Sequence, residues 1–161
     1  MHQHPHPLRR VRALDRLSEH DLCDLAAQTS VEIYPPHHTI IEQGQIDSTL
    51  YFLVRGYVNV LLPTPEGEVF LTMLYPGEYF GEAGLFSDLP RSATVRSVGE
   101  VEVYSLSRES FEALMEHSPA LVADMLHGMF REHTARLHRT SSEMVSRKTF
   151  FSRFVVNGIS T

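Results

Sequence analysis

Between Phe80 and Thr94 the chain reads Phe-Gly-Glu-Ala-Gly-Leu-Phe-Ser-Asp-Leu-Pro-Arg-Ser-Ala-Thr. A strand end at Phe80 meets a glycine turn, a short helical turn over Glu82–Phe86, and then Arg91 and Ser92 entering another strand at 93–97. Free backbone N–H groups at the start of a short helix favour an anion. Arg91 can fork two hydrogen bonds onto phosphate oxygens, and the Ser92 hydroxyl can add a third. The Glu82 carboxylate offers two acceptor oxygens suited to a sugar hydroxyl. Gly81 and Gly84 let the backbone come close to a ligand, and Ala83, Leu85 and Ala93 are small or apolar enough to line it. An anion clamp and a sugar clamp therefore stand about ten residues apart.

The charge distribution makes Arg91 more informative. The formal net charge is −6, but residues 1–16 carry Arg9, Arg10, Arg12 and Arg16 against Asp15 alone, and residues 131–161 carry six basic against two acidic side chains. The middle of the chain holds four basic and 17 acidic residues. Such a segment repels nucleic acid and free phosphate unless a dedicated cation is placed there. Arg91 shares that segment only with Arg55, Arg96 and Arg108.

The elements that must position these groups follow from hydropathy period. Leu8–Ala27 reads as an N-terminal helix, with Ser18 as N-cap and Asp21 three residues on. Residues 31–106 then alternate short runs rich in Val, Ile, Leu, Tyr and Phe with turn residues at roughly ten-residue spacing, an all-β pattern. The strands read are 31–34, 39–41, 50–54, 57–62, 69–74, 93–97 and 101–106, with Gly44, Gly56, Gly67, Gly77 and Gly99 at the turns. This predicts a mainly β domain, a jelly-roll-like β-roll, with flanking helices. Ser107 caps a helix over 108–117. A long helix starts at Pro119, where Leu121, Val122, Met125, Leu126, Met129, Phe130 and Leu137 recur at helical spacing. Its apolar set is wider than one barrel contact needs, which favours a homodimer seam over 119–145. Residues 1–7 read as a disordered tail, 8–149 as the domain (107–149 forming its hinge and lid helices), and 150–161 as a short extension.

The Gly81-Glu82-x-x-Leu85 and Pro90-Arg91-Ser92-Ala93-Thr94 segments resemble the phosphate-binding cassette of cyclic-nucleotide-binding domains, in the spacing found in regulatory subunits of cAMP-dependent protein kinase. The Gly-Glu-x-Gly-Leu-Phe opening is similar to the catabolite activator family. So are the flanks Ile41-Glu42-Gln43-Gly44, Leu50–Gly56 and Pro76–Gly81. The resemblance runs from about Leu17 to about Thr140. It implies cAMP, or cGMP, as ligand: Arg91 and Ser92 on the phosphate, Glu82 on the ribose, and the long helix as lid over the base. The two helix positions that reach the base in the catabolite activator family fall on Arg136 and Leu137. Arg136 is expected to stack on the purine, as in channel members of the family, and Thr140 to supply a hydroxyl. The ligand would shift a population in which the cassette, the helix at 107–117 and the lid move together and change a dimer seam or a docking face for another protein.

Other readings stay open. The same segment could be the effector half of a catabolite-activator-like transcription regulator, but the dozen residues after Lys148 are too few for a helix-turn-helix module, so DNA binding by this chain alone is not expected. A haem sensor on this fold would use His37, His38 or another of the ten histidines. No arranged nucleophile and base or metal-ligand pattern points to an enzyme. The alternating His2, His4 and His6 read as a passive tail. One cysteine, Cys23, excludes an internal disulfide framework. With no membrane-spanning run and no signal peptide in the sequence, a cytoplasmic location is expected.

Overall fold

The computed structural model describes the backbone of residues 5–157 and the side chains of residues 5–142. Eight antiparallel strands form two four-stranded sheets. One has the order β1-β8-β3-β6 and the other β2-β7-β4-β5. The strands are β1 (Ser30–Tyr34), β2 (Thr39–Ile41), β3 (Leu50–Arg55), β4 (Val58–Thr64), β5 (Gly67–Leu74), β6 (Tyr79–Phe80), β7 (Thr94–Ser97) and β8 (Val101–Leu106). Four α-helices accompany them: α1 (Glu19–Ala27), α2 (Glu82–Phe86), α3 (Arg108–His117) and α4 (Pro119–Asn157). The expected β-roll with flanking helices is the observed architecture.

Strand β3 shows why the roll closes. Its run Leu50-Tyr51-Phe52-Leu53-Val54 is buried throughout. Side chains alternate between faces along a strand. Leu50, Phe52 and Val54 face a core shared with the helices and the N-terminal segment, whereas Tyr51 and Leu53 face the core between the two sheets. The inter-sheet core adds Ile41, Val58, Leu74, Phe80, Val95, Val101 and Val103. The helix-side core adds Leu8, Leu14, Leu22, Leu25, Phe111, Leu121 and Met125 among others. Each such fully buried aliphatic or aromatic side chain contributes about 1.5–3 kcal/mol.

Several local expectations are corrected. Leu8–Ala27 is not one helix. It is two 3₁₀ turns, Pro7–Arg10 and Arg12–Leu14, followed by α1. Pro7 opens the first turn, and Ser18 starts a new helix with a full capping box: its Oγ accepts from Asp21 N at 3.1 Å, and its own N–H donates to Asp21 Oδ2 at 3.0 Å. The disordered tail expected over 1–7 lies partly outside the described residues. His6 and Pro7 are held, His6 Nδ1 accepting from Leu8 N at 3.1 Å. The strand end at Phe80 is a two-residue strand, β6, paired with β3. The β4–β5 hairpin reaches further than the apolar run, to Thr64 and Gly67. Of the turn glycines, Gly44, Gly56, Gly67 and Gly77 take positive φ, but Gly99 does not and His37 does. The segment from Phe150 to Asn157 continues α4 rather than forming a separate extension.

Helix α4 crosses the Arg12–Leu14 turn so closely that a Cβ on Gly128 would lie 1.8 Å from the Ala13 carbonyl oxygen. Ion pairs Arg131–Asp15 at 2.8 Å and Arg12–Glu132 at 3.3 Å flank the crossing. A buried bond from the Tyr79 hydroxyl to the Met129 carbonyl, 2.7 Å, ties the same part of α4 to β6. Helix α4 is thus anchored beside the glycine turn that follows β6.

Candidate functional site

Gly81 follows β6 in the left-handed region, φ +81°, and turns the chain into the five-residue α2. The loop from Ser87 returns it to β7. Between this segment and the β2-β7-β4-β5 sheet lies a cavity of about 320 Å3, within the range of small-molecule pockets. Its lining brings together Gly81, Glu82, Ala83, Gly84, Arg91, Ser92, Ala93 and Arg136. Two other candidates lie elsewhere. Leu85 is buried in the helix-side core. Thr140 sits one turn, about 6 Å, past Arg136 along α4. Its hydroxyl bonds back to the Arg136 carbonyl at 3.1 Å, and it lines an adjoining trough with Arg12, Glu78 and Arg139.

Arg91 is the best-held side chain of the site. Its side chain is 5% exposed. Nη1 donates to the Gly81 carbonyl at 2.7 Å, and Nη2 donates to the Thr49 carbonyl and to Asp47 Oδ2, each at 2.7 Å. Nε has no partner. Of the five guanidinium N–H groups, Nε–H and one on Nη1 stay uncommitted among the described residues. Burial alone would raise the Asp47 carboxyl, but the hydrogen bonds from Arg91 and Thr49 outweigh it and hold it below the usual carboxylate range. Asp47 therefore stays ionised at neutral pH and fixes the guanidinium.

The glycines serve the arginine directly. A Cβ on Gly84 would meet the Asp47 carbonyl oxygen at 2.3 Å and Arg91 Nη1 at 2.7 Å; one on Gly81 would meet the Thr49 carbonyl at 2.7 Å. The room they leave is filled by Arg91 and the Asp47–Thr49 loop, so close approach to protein, not only to ligand, demands them.

The Glu82 carboxylate has no hydrogen bond or ion pair among the described residues. It lies between the cavity and an apolar groove lined by Tyr79, Phe86, Leu126, Met129, Phe130 and His133. Burial, with the Glu82 charge added, pushes the Tyr79 hydroxyl up to about 12. Arg136 comes from α4. Its Cζ lies 5.6 Å from the Tyr79 ring centre, and Nη2 is 3.5 Å from Glu78 Oε1. Ser92 is exposed at the mouth. His37 and His38 lie between β1 and β2 and line none of these cavities. Among the described residues no group of three or more His, Cys, Asp or Glu could hold a metal ion, and no helix is long and apolar enough to cross a membrane.

Sequence reasoning missed three contributors. Asp47 stands alone before β3, with no spacing signal. Arg108 reads as an ordinary first-turn residue of α3, yet it reaches the end of α2. Val60, Thr72 and Leu74, which form the sheet wall, belong to β4 and β5; the sequence marked both strands, but not which sheet faces the glycine turn.

A β-roll whose glycine turn, acidic helix start and buried arginine surround one cavity has the layout of a small-ligand-binding domain. A family model described as "Cyclic nucleotide-binding domain" matches residues 31–118, and the chain belongs to that family. It is 36% identical over 108 residues to a cAMP-dependent protein kinase regulatory subunit of Debaryomyces hansenii, covering 67% of this chain and 23% of that protein. It is 35% identical over 113 residues to the cAMP-activated global transcriptional regulator CRP of Pasteurella multocida, covering 69% of this chain and 52% of that one. The chain thus spans about half the length of one of these curated relatives and about a quarter of the other. Among solved structures it is similar to the N-terminal domain of a transcriptional regulator from Streptomyces coelicolor A3(2), with TM-score 0.70 and 26% identity over 86% of this chain and 95% of that one. These proteins and this chain share a cyclic nucleotide-binding domain.

Proposed function

We propose that this chain is a cyclic-nucleotide sensor without catalytic activity of its own. The ligand phosphate meets the uncommitted Arg91 N–H groups and the Ser92 hydroxyl. The ribose meets Glu82, and the base lies under Arg136. The observation that carries this reading is the pairing, in one cavity, of a buried arginine held with N–H groups to spare and a carboxylate with no partner among the described residues. cAMP is the first ligand to try, because the two curated relatives are named for it. Residues 8–149 form the sensing unit, which works in the cytoplasm and passes its state to a protein partner. The reading as effector half of a transcription regulator uses the same site with a different output.

A homodimer through α4 is part of the proposal. Phe130 and Leu137, seven residues apart, are 74% and 57% exposed. The sequence repeats the spacing at Ala123, Met144 and Phe151. An apolar residue every seven positions on one long helix is the pattern of a two-helix seam.

The test is isothermal titration of nucleotide-free protein with cAMP and then cGMP. Heat in the low-micromolar range or tighter with either is the expected result, and the ratio sets the base preference. Folded protein that is silent with both would overturn the reading.

A further inference from the structure

Arg108 is the first residue of α3, where a cation opposes the helix dipole. Local preference does not place it there; its contacts do. Nη2 donates to the Gly84 carbonyl at 2.7 Å and to the Ser87 carbonyl at 2.8 Å, and Nη1 to Asp88 Oδ1 at 2.6 Å. These groups form the end of α2 and the residues just after it, carbonyls left without partners by so short a helix. Among the described residues Nε is buried and unpaired, so the guanidinium is held through its terminal nitrogens.

Gly84 therefore has an arginine on each side. Its Cα face lies against the Arg91 guanidinium, where a Cβ would be 2.7 Å from Nη1, and its carbonyl is bound by Arg108. A second contact runs alongside: the Phe86 ring meets Phe111 of α3 edge to face, centroids 5.6 Å apart. Helix α3 leads into α4 with only Ser118 between them. The path from anion clamp to lid helix is thus Arg91, Gly84, Arg108, α3, α4, with a hydrogen-bonded fork at the one step where two elements separated in sequence meet.

We infer that Arg108 is the positioning residue through which ligand on Arg91 moves α3 and α4, and not merely a cap for α2. The inference rests on the proposed ligand reading and adds the residue that carries its signal. Asp88, with a side chain 86% exposed, contributes little to the fork; the two carbonyls carry it.

The experiment uses the full chain with Cys23→Ser, Glu66→Cys and Glu116→Cys. Spin labels then report the distance between the β4–β5 hairpin and α3, with and without cAMP, or cGMP if titration shows that to be the tighter ligand. The parent is expected to change distance on binding. Arg108→Gln is expected to bind still, about fivefold more weakly, the small end of usual coupling strengths, and to lose the distance change. Arg108→Lys, which keeps the charge without the fork, should recover only part of it. An undiminished change in Arg108→Gln, with or without a lower melting temperature, overturns the inference. Should that variant not fold, an undiminished change in Arg108→Lys overturns it equally. A parent that binds nucleotide without moving defeats the coupling and leaves the functional reading standing. A parent that binds neither nucleotide defeats the functional reading, and this inference falls with it.

Discussion

In the proposed site, Arg91 and Glu82 divide the work between rigidity and availability. Arg91 is pinned by two carbonyls and the Asp47 carboxylate before any ligand arrives, so little ordering is left to oppose binding. Among the described residues the Glu82 carboxylate has no hydrogen bond or ion pair, which in the proposed site leaves it to accept from a sugar. The two residues should therefore fail differently. Arg91→Gln should lose about 2–4 kcal/mol of nucleotide binding and also lower the melting temperature, because Asp47 and two carbonyls lose their donor. Glu82→Gln should lose about 1.5–3 kcal/mol of binding, the range for a hydrogen bond to a charged group, with the melting temperature unchanged. Titration calorimetry and thermal melts on both variants separate the roles, and full affinity in Glu82→Gln would remove the sugar assignment. The glycine turn was legible in the sequence because glycine, glutamate and arginine occur in register. Asp47 was not, since a lone acidic residue before a strand looks like any solvated turn.

Helix α4 buries Leu121, Val122, Met125 and Met129 in the helix-side core, and a few specific contacts fix where it crosses. Gly128 brings it onto the Arg12–Leu14 turn, Tyr79 binds its Met129 carbonyl, and Arg131 and Glu132 pair with Asp15 and Arg12. This gives a prediction whose sign opposes helix propensity. In an isolated helix, Gly→Ala stabilises by about 0.8–1 kcal/mol. Here Gly128→Ala drives a methyl onto the Ala13 carbonyl and should destabilise by about 1–3 kcal/mol, the usual cost of overpacking. Chemical denaturation measures it, and a stabilised variant would show that the crossing is loose. The apolar spacing of α4 was plain in the sequence. The crossing was not, because nothing local marks a helical glycine as a contact point for a turn more than a hundred residues earlier. The N-terminal segment failed for a related reason: Leu8, Val11, Leu14 and Leu17 recur at three-residue intervals, which suits 3₁₀ turns as well as a helix.

Across the described residues, large apolar side chains stay exposed on several elements, Val69, Phe70 and Leu71 of β5 and Phe130 and Leu137 of α4 among them. Phe130 and Leu137 on α4 are the pair the proposed seam would cover. Replacing both, Phe130→Glu with Leu137→Glu, should convert a dimer to a monomer in sedimentation velocity while leaving the melting of the β-roll intact. A parent already monomeric at the same concentration would reject the seam. The β-roll, the helix starts at Ser18 and Ser107, and the glycine turn and short helix at Gly81–Phe86 could all be read from the chain alone. Those features rest on short-range physics: strand alternation, capping, and residues close enough in the chain to be read as one unit. Which side chains share the cavity, and which do not, emerges only when the elements pack. Leu85 turned into the core, Thr140 passed beyond the mouth, β4 and β5 supplied a wall, and Asp47 and Arg108 came to hold Arg91 and the Gly84 carbonyl from outside the lining. Those outcomes depend on how two sheets and a 39-residue helix settle against one another, and contacts between residues far apart in sequence leave no spacing to read.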